Sequence, residues 1–245
     1  MTFAKTAARF VLIASLVVSA AGRAGGVNSS DQQIAALERA VTANPEDLRT
    51  CAQYRQRIIA AGEYDRAIKL FEQLAARPRS GANVYISLAL AYVDKVPAAS
   101  PFRRIFLGRD AMRAASQAIE REPSPLAYYI RGLAALFFPE AVFHRARGGI
   151  ADLEHVREML AAQAVLPQHV HVYISLGDGY WKINDLARAL SVWADGLNRF
   201  PANTDLRARL TNRGAALDRL VQRALDPANR VDTSLFELFS AAPAS

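Results

Sequence analysis

Between Val170 and Pro201, bulky and very small side chains recur at steps of three and four residues. Tyr173, Leu176, Gly177 and Tyr180 mark one run, and Ala189, Trp193 and Gly196 mark the next. Residues at that spacing share one side of an α-helix. The segment therefore predicts two antiparallel helices joined by a short turn, with Asp185 placed ahead of LARALSVW to cap the second helix's free amides. Pro201 ends that helix, because its ring cannot follow a helical residue without the loss of a backbone hydrogen bond. Gly177, Ala189 and Gly196 let the helices cross closely, while Tyr173, Tyr180 and Trp193 fill the space between neighbours.

The same spacing is found upstream. From Leu48, Cys51, Tyr54 and Ile58 mark a first helix and Ala67, Phe71 and Leu74 a second, separated by the polar break AGEYDRA and followed by Pro78. Residues 31–45 supply a lone helix, with Leu37, Ala40 and a closing Pro45, which caps the array. From Ala82, Tyr85, Leu88, Ala89 and Tyr92 begin a unit whose second helix carries Ala111, Ala115 and Ala118 before Pro123, ten residues later than in the other units. From Leu126, Tyr129 and Leu136 begin another, finished by Met159, Ala162 and Pro167 with the same delay of ten. Each of these two units is 44 residues long, so the two copies of VYISL, at Val84 and Val172, lie 88 residues apart at matching positions of two first helices.

The Val170 unit resembles the tetratricopeptide repeat, in which a large aromatic, Leu-Gly, Tyr, Ala, a second aromatic and Pro follow one another over 34 residues. Tyr for Trp and Trp for Phe keep the size class. The resemblance extends over roughly residues 31–203, and departs from the pattern at Gly132 and at His155, where a small residue belongs. It implies an all-α fold, a right-handed superhelical solenoid of helical hairpins, with two repeats carrying ten-residue insertions in the turn between their helices. The expected organisation is a signal peptide at 1–24, a short linker at 25–30 and the solenoid at 31–225. Repeats lie at about 48–81, 82–125, 126–169 and 170–203, capping helices at 204–225 and a tail at 226–245. The family pattern places a partner-binding groove on the first helices, here Ile59, Asn83, Ile86, Leu90, Ile130, Phe137, Phe138, His171, Ile174, Asp178, Trp181 and Lys182. The Lys and Asn clamp with which chaperone-binding members hold a C-terminal carboxylate is not found at these positions.

Composition sharpens this picture in two places. Lys5 and Arg9 precede the uncharged run Phe10 to Ala21 and then small residues, the order of a secretory signal peptide. A run of about 12 residues is short against the roughly 20 a bilayer core requires, although an uncleaved anchor is the alternative. The expected location is therefore periplasmic or secreted, with membrane contact only through a retained leader. The single cysteine, Cys51, has no partner for an internal disulfide and is expected in the core. Removal of the leader takes Lys5, Arg9 and Arg23 and leaves 27 basic against 23 acidic residues, an excess of about +4. No basic run, stacked-aromatic motif or zinc-finger spacing supports nucleic-acid binding.

Nor does the sequence carry a recognisable active site. There is no zincin pattern, phosphate loop, Gly-x-Ser-x-Gly elbow or paired-cysteine site, and no cofactor is expected. His169 and His171 read as exposed loop and groove residues rather than a metal pair, and the glycines of LGDGY as packing positions. The apolar first-helix face has two explanations: it takes a peptide or helical segment of a partner protein, or the insertions and tail fold across it. SLFELF, within the tail, is either a docking turn or a mobile end. The insertions add a basic patch, Arg103, Arg104, Arg109, His144, Arg145 and Arg147, with Phe102, Phe106 and Phe143 turned inward. Solvated charge, or pairing with Glu120, Glu140 and Asp152, is the plainer reading of that patch, and an anion site the sharper one. The expectation is an exported, non-catalytic interaction scaffold or adaptor. The alternatives are an accessory or maturation factor for one exported enzyme, and an enzyme with an unrecognised site.

Overall fold

A computed structural model of the chain describes residues 21–229 and Thr233. Among the described residues the regular structure is helical throughout. The predicted leader falls almost wholly outside them, as does SLFELF. The first helix, α1, spans Ala21–Ala43. It begins ahead of the predicted start at residue 31, so residues 25–30 are helical rather than a linker. Ile34 and Val41 bury its inner side. Glu38 fixes it to the next pair, accepting from Arg66 Nε at 2.7 Å and Tyr54 Oη at 2.9 Å. The Arg66 guanidinium holds the Glu38 carboxyl below its ordinary range.

Helical hairpins follow. The first joins α2 (Leu48–Ala61) to α3 (Tyr64–Ala75). Asp47 caps α2 by accepting from Arg49 N, and Gly62 closes it in the left-handed region, at φ 72°, where a side chain would be strained. Cys51 is buried against this turn of the stack, donating to Pro45 O at 3.5 Å. Burial pushes its thiol up to about 11, and the thiolate is the reactive form. Native protein at pH 8 should therefore leave Cys51 unlabelled by an aromatic disulfide reagent over a period in which the urea-unfolded chain reacts fully. Prompt labelling of the native protein would show that α1 and α2 part readily.

The second hairpin pairs α4 (Ala82–Lys95) with α5 (Pro101–Arg121), joined through a 3-10 turn at Val96–Ala98. Val84 to Ala91 are all buried, which makes α4 the central strut of the array. The residues expected to form an inserted turn instead lengthen α5 at its N-terminus, with Pro101 in the first turn, where its missing N–H costs nothing. In the third, α6 (Pro125–Leu136) and α8 (Ala146–Ala161) are connected by residues 137–145, which hold the single turn α7 (Glu140–Phe143). Gly132, a departure from the repeat pattern, has a physical reason here: a Cβ at this position would lie 3.0 Å from both the Gly149 carbonyl oxygen and Asp152 Cβ on the facing helix. His155 resolves the other departure by pointing outward, its ring edge-on to Tyr128 at 4.6 Å.

The fourth hairpin, α9 (Val170–Lys182) and α10 (Leu186–Arg199), is capped by Asp185, which accepts from Arg188 N at 3.1 Å. Trp193 is completely buried and lies against Gly177. Helices α11 (Thr204–Thr211) and α12 (Ala215–Ala224) then cover the last hairpin with Leu206, Leu217 and Val221. Buried apolar residues form two clusters that meet at α6, which gives Ile130 to the first and Tyr129 to the second. Successive elements packing in chain order is the construction of a solenoid.

Candidate interaction surface

The first-helix face is not open along its whole length. Ile86, Leu90 and Ile130, placed on the groove by the repeat pattern, are core residues at 2, 2 and 4% exposure. Asn83 is occupied locally, its Nδ2 donating to Glu46 O at 3.0 Å and its amide to the Glu46 carboxylate. Ile59 is partly buried and His171 exposed, whereas His169, expected on the surface, is buried.

At the C-terminal end the capping helices cover the face. Asp178 is buried against Arg209 of α11, accepting from Nε at 2.6 Å and Nη2 at 2.7 Å. Burial pushes the Asp178 carboxyl upward, opposed by the two guanidinium bonds. Trp181 is half-buried and donates from Nε1 to Asp218 of α12 at 3.2 Å. Ile174 packs into the same cluster and gives its carbonyl to Trp193.

At the opposite end a residue of the tail crosses it. Thr233 is buried between α2 and α4, its carbonyl accepting from Arg55 Nη2 at 2.6 Å and its hydroxyl donating to Asp94. Arg55 and Asp94 are themselves ion-paired at 2.8 Å. A tail residue thus occupies the face at one end, while at the other the cover is the capping helices and not the insertions or the tail.

What stays accessible is a pocket of about 530 Å³ in the middle. The ends of α4 and α6 line it with Val93, Ala134, Phe137 and Phe138, the start of α5 supplies Ile105 and Phe102, and Pro227 and Asn229 stand at its edge. Phe138 lies so close to α5 that a Cβ at Gly108 would meet its ring at 3.0 Å. Lys182 reaches in from α9 and donates to Leu136 O at 2.5 Å. Burial lowers its amine below the usual range. The pocket is therefore apolar with a cation on its wall.

Phe102 departs from the inward orientation expected of it. It is 72% exposed, edge-on to Phe106 at 4.9 Å, because its place on the first turn of α5 faces solvent rather than a loop interior. Phe143 does pack, edge-on to Phe138 at 5.3 Å. Reading PFRRIFLGRD as an inserted loop hides the contribution of Val93, Ile105 and Gly108. The signal is present all the same: Ser100-Pro101 is a helix start, and Phe102, Ile105 and Phe106 repeat at helical spacing.

The six basic positions do not form one patch. Arg104 spans the end of α4, donating to Val96 O at 3.2 Å and Pro97 O at 3.3 Å, and Arg145 lies over the Phe138 ring at 5.7 Å. Arg103 and Arg109 instead line a separate cleft with Asp65, Glu72, Lys95 and Asp110. His144 and Arg147 are exposed. Of the acidic partners considered, Asp152 is taken by Arg131 and Glu140 accepts from Ala146 N, so neither serves this set. Among the described residues no group of three His, Cys, Asp or Glu side chains could hold a metal ion, and no helix is long and apolar enough to cross a membrane.

No protein-family model matches the sequence, and no curated protein matches it. Solved structures do share the fold. The crystal structure of TTC0263, a thermophilic TPR protein in Thermus thermophilus, superimposes with a TM-score of 0.54 at 22% identity, covering 80% of this chain and 94% of that one. A chain in the crystal structure of the APC/C hetero-tetramer Cut9-Hcn1 superimposes with a TM-score of 0.51 at 13% identity, covering 82% of this chain and 40% of that one. The chain is thus a tetratricopeptide-type helical solenoid.

Proposed function

We propose that this chain is an exported, non-catalytic adaptor that holds an apolar segment of a partner protein in the central pocket. The observation that carries the reading is the pocket itself: a concave, largely apolar cavity of about 530 Å³, with the exposed Phe102 ring at its mouth and Lys182 on its wall. Clefts of this size and lining are where proteins bind ligands and partner side chains, and aromatic residues, Phe among them, are enriched at interfaces. The six basic positions, which do not form one patch, have no role in this reading. Export rests on the leader sequence.

The test is in-situ crosslinking of the tagged protein in its native envelope. Phe102→Asp should reduce recovery of crosslinked partners several-fold, whereas Leu186→Asp, a matched change at an exposed residue on α10, should not. Equal recovery from both variants would remove the pocket from partner binding. A single enzyme among the captured proteins would select the accessory-factor role over a general adaptor.

A further inference from the structure

The seat of Thr233 is built differently from the central pocket. Arg55 and Asp94 are 1 and 5% exposed, and withdrawing two charges from water is an expensive way to join two helices. What they enclose is one residue from the far end of the chain. Arg55 donates to its backbone carbonyl, and Asp94 accepts from its hydroxyl. Arg55 Nε, also buried, has no hydrogen-bond partner among the described residues. The guanidinium therefore retains a donor that Thr233 does not use.

A carbonyl is common to every residue, whereas a hydroxyl at this point restricts the choice to Ser or Thr. A buried donor for the first and a buried acceptor for the second, presented by adjacent first helices, amount to a recognition site for a Ser or Thr residue. Asn229, four residues before Thr233, stands at the edge of the central pocket.

We infer that Arg55 and Asp94 form a peptide-recognition pair selective for a Ser or Thr residue, and that the chain's own Thr233 is its resident occupant, open to displacement by a competing segment. The tail is then an internal competitor. Occupancy in cis lowers the apparent affinity for any segment offered in trans by the fraction of time the seat is free. This site is distinct from the central pocket: the Phe102→Asp experiment tests the pocket, and the following one, read through the hydroxyl replacements at positions 233 and 234, tests the seat at Arg55 and Asp94.

The probe is a fluorescent synthetic peptide copying residues 226–238, offered to the intact chain and to a Thr233→Ala/Ser234→Ala chain, in which the neighbouring hydroxyl cannot substitute. The double variant should keep its helix content and bind the peptide at least about tenfold more tightly than the intact chain. The same two replacements in the peptide should abolish that binding, and a Thr233→Ser chain should behave like the intact one. Equal affinity in both chains, or binding that ignores the peptide's hydroxyls, would overturn the assignment. So would unfolding of the double variant, which would make Thr233 part of the core rather than an occupant.

Discussion

Replacing Arg209 by Leu should lower the unfolding free energy by about 3 to 5 kcal/mol, read as a shift of the urea midpoint at unchanged slope. Arg209 holds Asp178 through two parallel hydrogen bonds, and the two side chains are 4 and 2% exposed. Removing the guanidinium alone leaves a carboxylate buried between α9 and α11 without its two hydrogen bonds. Most of the cost is that stranded charge. Adding Asp178→Leu should accordingly return the greater part of the loss, since an apolar pair of similar volume carries no desolvation penalty.

The pH dependence of the single variant follows from the same cause. Burial already pushes the Asp178 carboxyl upward, and without Arg209 the main opposition to that push is gone, leaving only the weaker influence of Trp193. The folded state then binds a proton more readily than the unfolded chain, so stability falls as pH rises above the unfolded value and recovers as pH is lowered towards about 4. A deficit that is the same at pH 5 and pH 8, or a double variant as unstable as the single one, would show that the pair is solvated.

The second large effect belongs to Trp193. Trp193→Ala should cost about 3 to 5 kcal/mol, because a fully buried indole leaves a cavity that rigid helices cannot close. The complementary change is Gly177→Ala. A Cβ at Gly177 would lie 2.2 Å from Trp193 Nε1 and 2.7 Å from Cε2, atoms held by the indole's own hydrogen bond to Ile174 O. Overpacking of this kind costs about 1 to 3 kcal/mol. Phenylalanine has no atom where Nε1 stands, so the penalty of Gly177→Ala should shrink by about 1 kcal/mol or more in a Trp193→Phe background. Additive effects in the double-mutant cycle would mean that the indole does not rest on Gly177.

The Gly177 and Trp193 pairing is also the clearest case of structure legible in the sequence. A tiny residue in one helix and a bulky ring in the next, at fixed spacing, can be recognised without coordinates because the contact is made within one hairpin. Asp185 is legible for the same reason, since its partner is three residues away. Asp178 is not. Its position in the repeat pattern is a groove position, and only the fold-back of α11 turns it into an interior one. Ile86, Leu90 and Ile130 are misplaced similarly: the pattern says which side of a helix they occupy, but not that neighbouring helices close over that side. Thr233 pairs with residues 178 and 139 positions away, and no local periodicity encodes such a contact. The start of α5 is a local error of a different kind, in which the 34-residue ruler outweighs Ser100-Pro101 and a helical run of aromatic and aliphatic residues.

The meeting of the two apolar clusters at α6 bears on how this molecule could be rebuilt. Tyr129 and Ile130 are consecutive, yet they serve opposite halves. A chimera whose seam passed through this helix would deprive both parental halves of a residue they bury, and a transplanted copy would have to match two foreign surfaces at once. Grafting of new hairpins is better directed to the outermost layers, with α6 kept as an unaltered keystone.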